Sequence, residues 1–142
     1  MMDKKELLEI SERSEMFQFL GVKIETAESD RVVLTMDVTP KVHQYIGIMN
    51  GGISLFLCET AASIGAVLGA DLSTVSPVGV EINANHLRAV SRGMIRAEAK
   101  PVYAGKTMAV WTVEVTNDRE KLVCISRCTL LLKPGAARAR ES

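Results

Sequence analysis

The stretch I-G-I-M-N-G-G-I-S-L-F-L-C-E-T-A-A-S-I-G-A-V-L-G-A, from Ile46 to Ala70, decides how this chain folds. Its one charged residue is Glu59, and the helical part begins at the pair Gly51-Gly52. A helix that is apolar nearly all round requires burial nearly all round. The flanking segments alternate apolar and polar residues as strands do, so the expected cover is a sheet.

Upstream, Asp3 to Phe19 sets Leu7, Leu8, Ile10 and Phe17 among charges, which predicts one short amphipathic helix. Val22 and Ile24 open a strand, Ser29-Asp30-Arg31 turns it, and Val32, Leu34, Met36 and Val38 share one face of the next, which Pro40 ends. Downstream, Pro77 to Ala89 is expected to place Val78, Val80, Ile82, Ala84 and His86 on one face and Glu81, Asn83 and Asn85 on the other. Strands follow over Met94–Val102, Met108–Thr116 and Leu122–Lys133, separated by turns at Gly93, Ala104-Gly105 and Asn117-Asp118. Helices grouped before antiparallel strands indicate an α+β fold. A curved antiparallel sheet wrapped around a long central apolar helix is the hotdog architecture. One such domain is expected over residues 1–133, with 134–142 as a disordered tail.

The 142 residues suit a single core. Seventeen basic and seventeen acidic side chains cancel, which argues against a nucleic-acid partner held by a general positive field. The N-terminus M-M-D-K-K-E-L-L-E-I has no apolar signal core. Cys58, Cys124 and Cys128 are odd in number and lack zinc-ligand spacing, so reduced thiols, a cytoplasmic location and no metal are expected. The apolar stretch is long enough to raise a membrane span, but Glu59 near its centre would cost about 2.5–3.5 kcal/mol there, so burial in the fold is the better reading.

A carboxylate in so apolar a helix is hydrogen-bonded, neutralised or put to use. The Gly pair at the helix start offers backbone N–H groups to an oxyanion. A base near such donors outlines acyl-transfer chemistry. Taken singly, each feature has a plainer explanation. An acid can be structural, and paired glycines can serve close packing. A histidine on an apolar strand face is more often a core group. Cys58 points about 100° away from Glu59 around the helix and reads as core packing. Arg92, Arg96 and Lys100 read as a solvated strand face, and Trp111 as core or interface filler.

In combination the features resemble a family. The runs Q44-Y-I-G-I-M-N-G-G-I-S-L-F-L-C-E59-T-A-A-S63 and G79-V-E-I-N-A-N-H86-L-R88 resemble hotdog acyl-CoA thioesterases of the phenylacetate-degradation type, particularly 1,4-dihydroxy-2-naphthoyl-CoA thioesterases and their aryl-CoA relatives. The resemblance covers Val22 to Lys133. It implies that Glu59 is the catalytic carboxylate, as nucleophile or as general base on water. It also implies that the Gly51 N–H polarises the thioester carbonyl, and that Gln44, Asn50, Ser63 and His86 position the reacting groups. CoA contacts are implied at Gly79, His86, Leu87, Arg88, Ala89, Tyr103, Gly105 and Lys106, with Arg88 and Lys106 the candidates for phosphate. Asn50 stands where the family has histidine, and it cannot become a cation near neutral pH.

The resemblance implies hydrolysis of an acyl-CoA, with an aromatic rather than a long aliphatic acyl group. No cofactor is implied, because CoA arrives as part of the substrate. A homodimer or homotetramer is implied, each site drawing Glu59 from one subunit and other contacts from its neighbour. An exposed edge strand gives independent reason to pair. A hotdog dehydratase or hydratase and a non-catalytic acyl-CoA binder are the alternatives.

Overall fold

The computed structural model describes residues 3–135. In chain order the elements are helices α1 (Lys4–Arg13) and α2 (Glu15–Leu20), strands β1 (Lys23–Glu28) and β2 (Arg31–Val38), and a short 3-10 turn at Pro40–Val42. Helix α3 (Gly51–Gly69) follows, then β3 (Val75–His86), β4 (Gly93–Ala104), β5 (Met108–Asn117) and β6 (Leu122–Pro134). The six strands form one antiparallel sheet in the order β1-β2-β4-β5-β6-β3. Helix α3 joins β2 to β3, the two strands it must carry the chain between, by crossing the concave face of the curved sheet. This is the α+β hotdog arrangement that the sequence predicts. The expected tail lies outside the described residues from 136 onward; Pro134 still belongs to β6, and the Gly135 N–H donates to Thr74 O at 2.6 Å.

Leu57, Cys58, Ala61 and Ala62 of α3 are fully buried against Leu34, Ile95, Val113, Val115 and Cys124 of the sheet. At Gly65 the helix lies directly on the Trp111 indole, and any side chain there would overlap the ring. Burying about 25 cal/mol per Å² of apolar surface fixes this face of the helix on the sheet. By length and composition α3 could span a membrane, yet half of its apolar stretch is buried in this fold.

Three expectations are corrected. First, α3 is not buried nearly all round, because one sheet can cover only one side of a helix; Gly52, Glu59 and Gly69 are exposed in the single chain. Second, the single amphipathic helix over Asp3–Phe19 is two. Ser14 ends α1 with extended backbone and starts α2, its Oγ accepting from the Phe17 N–H at 3.3 Å. Third, the alternation expected in β3 changes phase. A bulge between Gly79 and Glu81 leaves Val80 without a partner, so Val75, Pro77 and Gly79 share the inner face with Ile82, Ala84 and His86. Val78 and Val80 are accordingly exposed.

Candidate active site

The start of α3 is built by a short, heavily hydrogen-bonded loop. The Gln44 N–H donates to Ile48 O and the Gly47 N–H to Gln44 O, with Gly47 in the left-handed region at φ 78°. The Met49 N–H donates to Val90 O at 2.7 Å and the Asn50 N–H to Val42 O at 2.8 Å, which ties the loop to the body on both sides. Asn50 then caps the helix. Its Oδ1 accepts from the Gly52 N–H at 2.8 Å, and its carbonyl accepts from the Ile53 N–H at 3.0 Å. Among the described residues the Gly51 N–H has no acceptor. Asn50 therefore satisfies the neighbouring donors and leaves Gly51 available, at the end of a helix whose dipole favours negative charge.

His86, at the inner end of β3, lies over this point. A methyl on Gly51 would come within 2.9 Å of the imidazole Nε2. Gln44, Gly51, His86, Leu87, Arg88 and Ala89 line one cavity of about 480 Å³. The structure thus brings together, at one end of α3, six of the residues the sequence singles out. The Leu87 and Arg88 N–H groups both donate to Val123 O, which holds the exposed Arg88 at the cavity rim.

Glu59 lies elsewhere. It is eight residues further along α3, which at about 1.5 Å per residue puts it about 12 Å from Gly51. It lines a different cavity, of about 420 Å³, together with Ser63. Its carboxylate rests over Gly79, where any side chain would overlap Oε1. The bulge in β3 is what turns Gly79 inward to make this seat. Among the described residues Glu59 has no hydrogen bond and no ion pair, and Ser63 has no side-chain hydrogen bond.

Tyr103, Gly105 and Lys106 join neither group. They sit at the β4–β5 turn, where Gly105 packs against the Tyr103 ring and borders a small third cavity beside Trp111. Sequence reasoning missed Leu7, Leu8 and Ser11 of α1, which face Phe56 and Thr60 across the Glu59 cavity. The only signal for them is the amphipathic pattern of α1, which does not say what the helix covers.

Two of the thiols, Cys58 and Cys128, are held protonated; the hydrogen bond from Cys58 lowers Cys124 instead, and that thiol is fully buried in the core. All three cysteines are unbridged and buried. A hydrogen bond with Cys124, then burial, pushes the Cys58 thiol up. Burial, with the charges of Glu59 and Glu81, pushes Cys128 up to about 11. A thiol held protonated is a poor nucleophile. Among the described residues no cluster of metal-ligating side chains is present.

A carboxylate without a partner, an open N–H at a helix start and a sheet wrapped around that helix define the class of a hotdog acyl-transfer enzyme. Residues 46–124 match the model of the thioesterase superfamily. The chain is 42% identical over 114 residues to 1,4-dihydroxy-2-naphthoyl-CoA hydrolase of Listeria monocytogenes, covering 80% of this chain and 92% of that protein. It is 34% identical over 114 residues to the Escherichia coli protein of the same name, covering 80% and 83%. Among solved structures, a mutant thioesterase from Pseudomonas aeruginosa superposes with a TM-score of 0.86 at 31% identity, over 94% of this chain and 96% of that one. A Haemophilus influenzae thioesterase superposes with a TM-score of 0.85 at 31% identity, over 99% and 96%. The chain belongs to the thioesterase superfamily, and by class it is a thioester hydrolase.

Proposed function

We propose that this protein hydrolyses aromatic acyl-CoA thioesters at sites shared between two copies of the chain, with Glu59 of one copy and the Gly51 N–H of the other acting on the same carbonyl. The observation that carries this reading is the separation of the two groups. One thioester carbonyl spans a few ångströms, whereas Glu59 and Gly51 of a single chain lie in different cavities about 12 Å apart along α3. A second copy docking on the open edge of β3 would bring the two halves together, because β3 carries both seats, Gly79 under Glu59 and His86 over Gly51.

The chemistry follows from the groups. Either the Glu59 carboxylate attacks the thioester carbon, or it takes a proton from a water that does so. Both routes put negative charge on the carbonyl oxygen, which accepts a hydrogen bond from the Gly51 N–H. Collapse of the adduct breaks the C–S bond and releases CoA as thiolate. In the first route water then hydrolyses the Glu59 anhydride; in the second the free acid forms directly. Gln44 and His86 position the thioester, Ser63 lies beside the acyl group, and Arg88 at the rim offers its charge to CoA phosphate. Relatives named for a naphthoyl-CoA support the aromatic acyl group. The three unbridged cysteines accord with a reducing cytoplasm.

The test is steady-state thiol release across benzoyl-, phenylacetyl-, hydroxynaphthoyl-, short-chain and long-chain acyl-CoA, with Glu59→Ala as the control. An aryl preference that disappears with Glu59 is the expected result. Equal hydrolysis by Glu59→Ala would refute the assignment of that residue.

A further inference from the structure

The cavity beside Glu59 has two walls of different origin. One is α3, presenting Phe56, Thr60, Ser63 and Ile64. The other is α1, presenting Leu7, Leu8 and Ser11. Apart from Glu59 itself, no charged side chain among the described residues lines it. Helix α1 is tied to α3 directly at its start and through α2 beyond its end. The Lys4 ammonium donates to Leu68 O at the C-terminal end of α3. At the other end Phe17 of α2 packs edge-to-face on Phe56, with ring centroids 6.4 Å apart. Between these ties α1 buries no residue completely, and Lys5 and Glu9 pair on its exposed side. Its apolar side therefore faces open volume rather than packed core.

From this arrangement we infer that α1 is the outer wall of the acyl subsite and that Leu7 and Leu8 determine which acyl groups the enzyme accepts. The inference rests on the reading of Glu59 as the group at the thioester carbonyl. A carbonyl at Glu59 directs its acyl chain along α3 towards Leu68, nine residues or about 13 Å on. The volume of about 420 Å³ falls in the range of ligand pockets and suits a bulky apolar acyl group. An acetyl group ends within a turn of Glu59 and covers little of the α1 wall, whereas a two-ring group lies along Leu7 and Leu8. The Thr60 and Ser63 hydroxyls have no side-chain hydrogen bonds among the described residues, so they can meet a polar substituent on the ring. Deleting apolar contacts in such a pocket typically changes discrimination by about 10–200-fold.

The test compares wild type, Leu7→Ala with Leu8→Ala, and Leu8→Trp. Thiol release is measured on 2-naphthoyl-CoA and on the shortest of acetyl-, butyryl- and benzoyl-CoA that wild type turns over; calorimetry measures binding of free 2-naphthoate. The double variant should raise KM for 2-naphthoyl-CoA by about tenfold or more and weaken naphthoate by a similar factor. Its kcat/KM on the short thioester should fall by a clearly smaller factor, since that group covers less of the α1 wall. Leu8→Trp should cut 2-naphthoyl-CoA turnover while sparing the short substrate. Equal loss on both thioesters, or no change on either, overturns the inference. If wild type hydrolyses none of these thioesters, the aromatic acyl-CoA reading fails by itself. Naphthoate binding then decides the wall: weakening in the double variant upholds it, and unchanged binding overturns it.

Discussion

Glu98, on the outer face of the sheet, and Glu59, on the open face of α3, are carboxylates in opposite circumstances. Glu98 accepts from Lys100 at 2.9 Å, Arg96 at 2.7 Å and Arg31 at 3.3 Å, and these cations, Lys100 first, hold its carboxyl down at about 2. Glu59 has no such partner among the described residues, and a glycine beneath it leaves its carboxylate room. The charges around Glu98 are paired with one another, so that carboxylate is already occupied. Among the described residues the α3 face keeps a carboxylate and an N–H unsatisfied, the two groups the proposed hydrolysis uses.

The sharpest way to break this contrast is to remove the unpartnered acid. Glu59→Ala should lower kcat about 100–10,000-fold while leaving the melting temperature unchanged or raised. Gly51→Pro comes next. Proline is accommodated at a first helical position but lacks the N–H, so turnover should fall about 100–1000-fold. Gly51→Ala carries the same new Cβ towards His86 and keeps the donor; it should lose much less, and equal losses would mean that the imidazole contact matters and the N–H does not. Gly79→Ala should displace the Glu59 carboxylate and cost up to about 100-fold in kcat without unfolding an exposed strand. Asn50→Ala removes the cap of α3 and should lower stability by about 1 kcal/mol, read by denaturant midpoint. Asn50→His should raise or reshape activity if the position needs a proton carrier, and unchanged kinetics would make it purely an orienting residue.

The smallest effect belongs to Glu98. Its carboxyl is depressed from 4.5 to about 2, so its ion pairs stabilise the fold above about pH 4.5, and that contribution is lost as pH falls towards 2. Glu98→Gln should therefore change stability at pH 7 by about 1 kcal/mol or less, flatten the acid limb of the pH–stability curve, and leave hydrolysis intact. Impaired hydrolysis in this variant would erase the distinction between the two faces.

Much of this was legible in the chain. The helix announced itself through its composition, and the strands through alternation and turn residues, because both are local patterns with fixed periods. Arg96 and Lys100 lie on the outer face as read, each two residues from Glu98 on the same strand, but the approach of Arg31 to Glu98 needed the register of β2 on β4. The phase change in β3 was not legible: Val78 and Val80 continue the apolar alternation on paper, and only the pairing with β6 reveals the extra residue. That bulge is what puts Gly79 beneath Glu59. The spacing of Gly51 and Glu59 was visible, but their division between two cavities depends on where α1 and the 43–49 loop pack. Those are tertiary contacts, with no period of their own.

The central claim is that Glu59 and Gly51 of different copies act on one substrate. Equal amounts of Glu59→Ala and Gly51→Pro, each inactive alone, can be unfolded together and refolded so that the two chains mix. Shared sites predict that hydrolysis returns, to roughly a quarter of the wild-type rate if pairing is random, because each mixed pair rebuilds one intact site. Sites contained within single chains predict a mixture as inactive as its parts, and that result would contradict the account.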